Sequence, residues 1–201
     1  MRRLRTTALL IFVAALFSSA APAQAQAPKI SVRLDPGTTE IHWSLGGSAH
    51  TTHGTFKLKG GLVSFDPVTG AAEGELLVDL ATGESGNKDR DARMQNEVLQ
   101  SNKYPEAFYH PTKIIGALKP GATQVISAEG NFNIHGADHS LKLDIQVKVD
   151  GDQATATAHF TVPYVAWGMK DPSVFVLRVD KTVDVDVVAR GTVEGLSPKP
   201  K

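Results

Sequence analysis

The sequence predicts an all-β domain of antiparallel strands, either a barrel or a sandwich. Apolar residues recur with a period of two through most of the chain, turn dipeptides such as Asp150-Gly151 separate the runs, and no strand–helix alternation is present. Successive side chains of a strand point to opposite faces, so a period of two describes a ribbon with one dry and one wet face. That pattern suits antiparallel pairing with a solvated face. Many short strands at close spacing, without βα units, then point to a barrel or sandwich.

Taken in chain order, Ile30 to Leu34 and Ile41 to Leu45 are short strand candidates split by Asp35-Pro36-Gly37. Phe56 to Leu58 and Leu62 to Phe65 read as two more, with Gly60-Gly61 as the turn between them and Asp66-Pro67 as the next turn. Leu76, Val78 and Leu80 form one face of a further strand. The segment Lys88 to Gln100 has no strand pattern. Met94 and Val98 are four apart, Asp89 and Asp91 fall in a first turn, and Asn87 is a suitable cap, so one short helix is predicted near 88–100, ended before Pro105.

Phe108 to Leu118 is the next strand, followed by Pro120-Gly121. Ile126, Ala128, Phe132 and Ile134 line one face of a strand that ends at His135-Gly136. Leu141, Leu143, Ile145, Val147 and Val149 alternate with Ser140, Lys142, Asp144, Gln146 and Lys148. Asp150-Gly151-Asp152 then joins this run to Ala154, Ala156, Ala158, Phe160 and Val162, the best hairpin signal in the chain. Phe175 to Val179 is a short candidate. Val183, Val185, Val187 and Ala189, alternating with Thr182, Asp184, Asp186 and Arg190, complete the set.

The ends read differently. Arg2, Arg3 and Arg5, the apolar run Ala8 to Phe17 and the A-x-A site Ala23-Gln24-Ala25 have the form of a secretory signal peptide, so residues 1–25 are expected to be removed after Ala25. The run is shorter than the ~20 apolar residues of a membrane span. The domain is expected over 26–196 and a loose tail over 197–201, in a periplasmic or secreted protein. The chain has 21 basic and 21 acidic residues and no cysteine. Removing 1–25 leaves 18 basic against 21 acidic side chains, net −3. A nucleic-acid binder would normally carry a basic surplus. Without cysteine there are no disulfides, thiol nucleophiles, thiolate metal sites or lipid-modified cysteine.

Catalytic motifs are scarce. Gly83-Glu84-Ser85-Gly86-Asn87 misses the nucleophile-elbow pattern at its fifth residue. His50 and His53, and His135 and His139, lie beside glycines in strand or turn context. A His-only metal site drawn from several strands is the alternative to solvent-facing or hydrogen-bonded histidines. Asp180, Asp184 and Asp186 read as the wet face of a strand, where solvation explains them better than calcium. Gly83 to Met94 gathers Asn87, Lys88, Arg90 and Arg93 near a helix start, a plausible anion site. The competing reading is a solvated helix with local pairs such as Asp89–Arg93.

The chain resembles the YceI-like family. The residues that carry the resemblance are His50-Thr51-Thr52-His53-Gly54-Thr55-Phe56, Gly61 to Pro67, Ser85-Gly86-Asn87, Arg90-Asp91, Arg93-Met94 and Tyr104-Pro105-Glu106, followed by Gly130 to Gly136, Val162-Pro163-Tyr164 and Trp167 to Ser173. The resemblance implies an antiparallel lipocalin-like β-barrel of about eight strands, usually exported. It also implies an apolar cavity for a polyisoprenoid, a quinone-like molecule or another amphiphilic lipid. An eight-stranded barrel is either just filled by side chains or holds one small ligand, and inward-facing Ala154, Ala156 and Ala158 would leave room. The expected apolar wall is Trp43, Phe56, Phe108, Phe132, Phe160 and Trp167, with Met94 and Leu99 closing one end. His50, Asn87, Arg90 and Arg93 are expected to hold a headgroup. No catalytic residue, metal or cofactor is assigned, no nucleic-acid partner or membrane span is expected, and pairing into a homodimer is left open. The alternatives are a structural or stress-response envelope protein with a closed core, and a His-dependent metalloenzyme.

Overall fold

In a computed structural model, which describes residues 28–196, the alternating runs form nine antiparallel strands and one short helical segment. The expected signal peptide and the tail from Ser197 lie outside the described residues. The strands are β1 (Ile30–Leu34), β2 (Glu40–Leu45), β3 (Thr52–Phe65), β4 (Ala72–Glu84), β5 (Glu106–Ile115), β6 (Gln124–Ile134), β7 (Ala137–Asp150), β8 (Gln153–Val162) and β9 (Val183–Glu194). Each of β3 to β9 pairs with the next, and the sheet closes through β1 and β2.

Both short strands pair with β3 on one side and β9 on the other. β1 lies along the Phe65 and Glu194 ends, and β2 along the Thr52 and Asp184 ends. Together they make one interrupted stave, so the closed barrel has eight. The interruption is the Asp35-Pro36-Gly37 turn, where the Asp35 carboxylate accepts from Gly37 N at 2.8 Å and from the Thr38 hydroxyl at 3.0 Å. Closure leaves no long unpaired edge.

The remaining turns follow their residues. His135 and Gly136 both have positive φ (55° and 77°), the two-residue connection whose twist matches that of the flanking strands. Gly151, at φ 62°, opens the β7–β8 turn. Asp66 caps the β3–β4 turn by accepting from Val68 N at 2.7 Å and Thr69 N at 3.0 Å.

Two expectations fail. Gly60-Gly61 is not a turn: β3 runs unbroken through it, with register shifts at Thr55/Lys57 and Leu58/Gly60. Such irregularities sharpen the bend of a strand without ending it. Phe175 to Val179 is not a strand either. It lies in the long connection from β8 to β9 and makes only isolated bridges, Val174 with Leu177 and Gly47 with Val179.

Alternation decides which side faces the lumen. Leu143, Val147 and Val149 are buried while Lys142, Asp144, Gln146 and Lys148 are exposed. The packed residues form two clusters. One, around Phe65, Tyr109, Ile126 and Val149, lines the end of the barrel nearest the Pro120-Gly121 connection. The other, around Leu80, Leu99, Ile134 and Tyr164, lies at the opposite end.

Candidate functional site

The helical segment crosses the second end of the barrel. Asn87 caps it, its side-chain oxygen accepting from Asp89 N at 3.1 Å and Arg90 N at 3.0 Å. The first part, α1 (Lys88–Arg93), is α-helical, and Met94–Leu99 continues it as a π-helical turn that stops at Gln100, φ 50°. The wider turn has a consequence for side-chain direction. Residues five apart lie about 140° apart around an α-helix, whereas the wider turn of i→i+5 bonding brings them onto the same side. Met94, Val98 and Leu99 therefore all face the lumen, and Leu99 is buried. The Gln95 amide donates to the Leu80 carbonyl at 2.8 Å and to that of Gly83 at 3.3 Å, which fastens the segment to the end of β4.

Beneath this segment the barrel is hollow. A cavity of about 390 Å³ opens at the helical end, and a second of about 200 Å³ lies deeper. Ile41, Val78, Phe132, Phe160 and Val187 border both, so they form a waist between the chambers. Across it the Phe132 and Phe160 rings meet edge to face, centroids 6.2 Å apart. The deep chamber is hollow partly because β8 contributes Ala154, Ala156 and Ala158 to its wall. The closed core considered as an alternative is therefore not what these residues build.

Of the expected wall, Trp43, Phe56, Phe132, Phe160, Met94 and Leu99 surround the upper cavity. Trp43 is buried, packs beside Phe56 at 6.4 Å, and leaves its indole N–H without a hydrogen-bond partner. A Cβ at residue 54 would collide with its ring and with the Glu84 carbonyl, which accounts for Gly54.

Phe108 and Trp167 do not line either cavity. Phe108 lies between the inward-facing Ala107 and Tyr109, so it points outward, its ring edge-on to His110 at 4.9 Å. The parity follows from Tyr109, whose hydroxyl donates to the Ala128 carbonyl at 2.9 Å inside the barrel. Trp167 stacks on His139, 4.0 Å apart and 6° from parallel, and packs behind Phe132 at 6.0 Å.

Polar groups at the mouth divide in the same way. His50, Arg90 and Arg93 border the upper cavity, and Asn87 does not, its side-chain oxygen being engaged in the cap. Arg90 donates through Nε to the Ser85 hydroxyl at 2.7 Å and through a terminal nitrogen to the Ser85 carbonyl at 2.9 Å. Asp91 accepts from the Ser85 N–H at 2.9 Å and from its hydroxyl, so Ser85 is a loop clamp rather than a nucleophile. Of the local pairs considered for a solvated helix, Arg93 forms one with Glu97, at 3.6 Å, rather than with Asp89. Glu97 in turn holds Lys170 at 2.6 Å, and the Lys170 ammonium, with a smaller contribution from Arg93 and against the opposing effect of desolvation, holds its carboxyl below the usual carboxylate range.

Sequence reasoning missed Arg178, which also borders the cavity; it lies in the β8–β9 connection, which has no periodicity to place it. Three guanidiniums and no carboxylate thus border the upper chamber. Among the described residues no group of three or more His, Cys, Asp or Glu side chains converges to hold a metal. No helix among them is long and apolar enough to cross a membrane.

A family model described as a YceI-like domain matches residues 33–190. No curated protein sequence matches the chain. Among solved structures, a polyisoprenoid binding domain from Saccharophagus degradans, implicated in plant cell wall breakdown, superposes with a TM-score of 0.66 at 16% identity, covering 80% of this chain and 97% of that one. Burkholderia cenocepacia BcnA gives a TM-score of 0.63 at 18% identity, covering 78% and 98%. At these identities the likeness is one of fold.

Proposed function

Since the chain belongs to the YceI-like family, we propose that it is a non-catalytic, exported binding protein for an amphiphilic lipid with an isoprenoid-like chain and an anionic head. The observation that carries this reading is the lumen itself: two apolar chambers of about 390 and 200 Å³ beneath a mouth bordered by Arg90, Arg93 and Arg178. The larger volume is typical of a ligand pocket. Each methylene buried there contributes up to about 0.8 kcal/mol before ordering costs. A chain long enough to pass the waist therefore binds without any reacting group. Arginine is the side chain best suited to a phosphate or carboxylate in such a setting, because its planar fork donates two parallel hydrogen bonds.

The polyisoprenoid binding named for the Saccharophagus domain supports the chain class. The unpartnered Trp43 N–H supports a ligand that carries an oxygen acceptor inside the mouth. Export is supported by the basic, then apolar, then A-x-A pattern of residues 1–25.

The test is a comparison of two ligands with the same tail. Freshly purified protein is examined by native mass spectrometry for a co-purifying lipid, then delipidated and titrated with farnesyl phosphate and with farnesol. Farnesyl phosphate is expected to bind more tightly, and Arg93→Gln combined with Arg178→Gln is expected to erase the difference. Protein that binds neither compound refutes the lipid reading. Equal affinity for both in the unaltered protein refutes the anionic head.

A further inference from the structure

We infer that the tip Val174–Leu177 docks the protein on an anionic phospholipid bilayer and places the cavity mouth against the membrane surface. This rests on the lipid-binding reading for its purpose, while its geometry stands alone. The tip is a two-residue turn: Val174 N donates to the Leu177 carbonyl at 3.0 Å and Leu177 N to that of Val174 at 2.7 Å. Phe175 and Val176 at its apex are 100% and 84% exposed, and Phe175 has φ 38°, a conformation that costs a bulky residue free energy. A soluble surface has no use for an aromatic side chain held out in this way.

The tip is held in place. Ser48 N donates to the Arg178 carbonyl at 2.8 Å, the Ser48 hydroxyl to that of Val176 at 3.3 Å, and Asp180 N to the Gly46 carbonyl at 2.8 Å. The connection is thereby fastened to the end of β2 at the barrel mouth.

Three considerations select a bilayer as the partner. The same turn supplies Val174 and Leu177 to the wall of the upper cavity, so a chain leaving the acyl phase beside Phe175 would meet the cavity without crossing open water. Arg90, Arg93 and Arg178 border that mouth with no carboxylate among the lining residues, which complements phosphate headgroups. Finally, four such side chains expose on the order of 400 Å², about half of the ~800 Å² per partner that a stable protein interface buries. A bilayer demands no matching shape, and an aromatic residue at its interface is favourable.

The purified protein is floated with vesicles of phosphatidylcholine containing a minority of phosphatidylglycerol, and with vesicles of phosphatidylcholine alone. The unaltered protein is expected to float with the mixed vesicles and less with the neutral ones. Phe175→Ser should lower the bound-to-free ratio roughly ten- to hundredfold, Val176→Ser should lower it less, and Phe175→Trp should keep it, with emission shifting to shorter wavelength on vesicle addition. Phe175→Ser should still bind farnesyl phosphate offered in solution, because Phe175 is outside the cavity lining. Flotation unaffected by Phe175→Ser, absent from the unaltered protein, or indifferent to phosphatidylglycerol overturns the proposal. So does a sedimentation experiment in which Phe175→Ser dissociates a dimer while flotation stays the same. Phe175-dependent flotation in a protein that binds no farnesyl phosphate upholds the docking and refutes the cavity reading instead.

Discussion

Replacing Ala156 with leucine separates a hollow barrel from a filled one by the sign of its effect. Ala156 lies on β8 between Val147 of β7 and Ala189 of β9, and it borders the deep chamber of about 200 Å³. Leucine adds three carbons. Placed in empty apolar space, they contribute about 0.8 kcal/mol each, so the delipidated variant should be more stable by up to about 2 kcal/mol. The same carbons take space from the ligand chain. Displacing three methylenes of that chain costs about 2.4 kcal/mol, roughly fiftyfold in affinity. Urea unfolding of delipidated protein measures the first effect, read as a higher midpoint at an unchanged slope, and titration with farnesyl phosphate measures the second. In a closely packed interior the same substitution would destabilise by about 1–3 kcal/mol. A lower midpoint for Ala156→Leu would refute the hollow barrel and the lipid reading built on it.

Two further perturbations probe the waist and the buried phenols. Phe160→Ala should join the two chambers at a cost near the lower end of the roughly 3–5 kcal/mol for deleting a buried phenylalanine, since the ring already faces empty space on both sides. It should also raise the affinity for geranylgeranyl phosphate relative to farnesyl phosphate, and an unchanged ratio would argue against the waist as a limit on chain length. Burial raises the Tyr109 and Tyr164 phenols to about 12, with smaller contributions from nearby carboxylates. The unfolded chain, with phenols near 10, therefore releases these protons first as pH rises. Stability should be intact below about pH 10 and fall progressively towards about pH 12, and Tyr109→Phe should shallow that decline. Alkaline unfolding followed by circular dichroism checks both, and identical alkaline curves for the variant and the unaltered protein would contradict the assignment.

The alternation of β7, β8 and β9 could be read directly because neighbouring residues on a strand face opposite ways, and each residue's polarity reports its side. The same locality explains the cap at Asn87 and the turns at His135-Gly136 and Asp150-Gly151. It also explains the failures. Phe108 and Tyr109 are adjacent and both aromatic, so pattern alone does not fix the parity of β5, and the expectation that Phe108 lines the wall fails because Tyr109 turns inward, its hydroxyl donating to the Ala128 carbonyl. Gly60-Gly61 has turn composition, yet it stays in β3 because β4 continues to pair with the strand there, Gly60 opposite Leu77 and Gly61 opposite Leu76. Leu99 reaches the lumen through a π-helical turn that a spacing of 3.6 does not anticipate. Arg178 joins Arg90 and Arg93 only because Ser48 and Gly46 tie a distant connection to the mouth.

What the sequence by itself determined is the alternation, most of the turns and hence an antiparallel all-β domain, since these depend on interactions within a few residues. Hollowness was decided only by the tertiary structure. Whether a lumen is empty depends on the summed volume that eight staves direct inward, and alanines on β8 leave space only if no large side chain from an opposing strand enters it. The waist of Phe132 and Phe160 likewise exists because strands β6 and β8, separated by β7, bring two rings to the same height in the closed barrel.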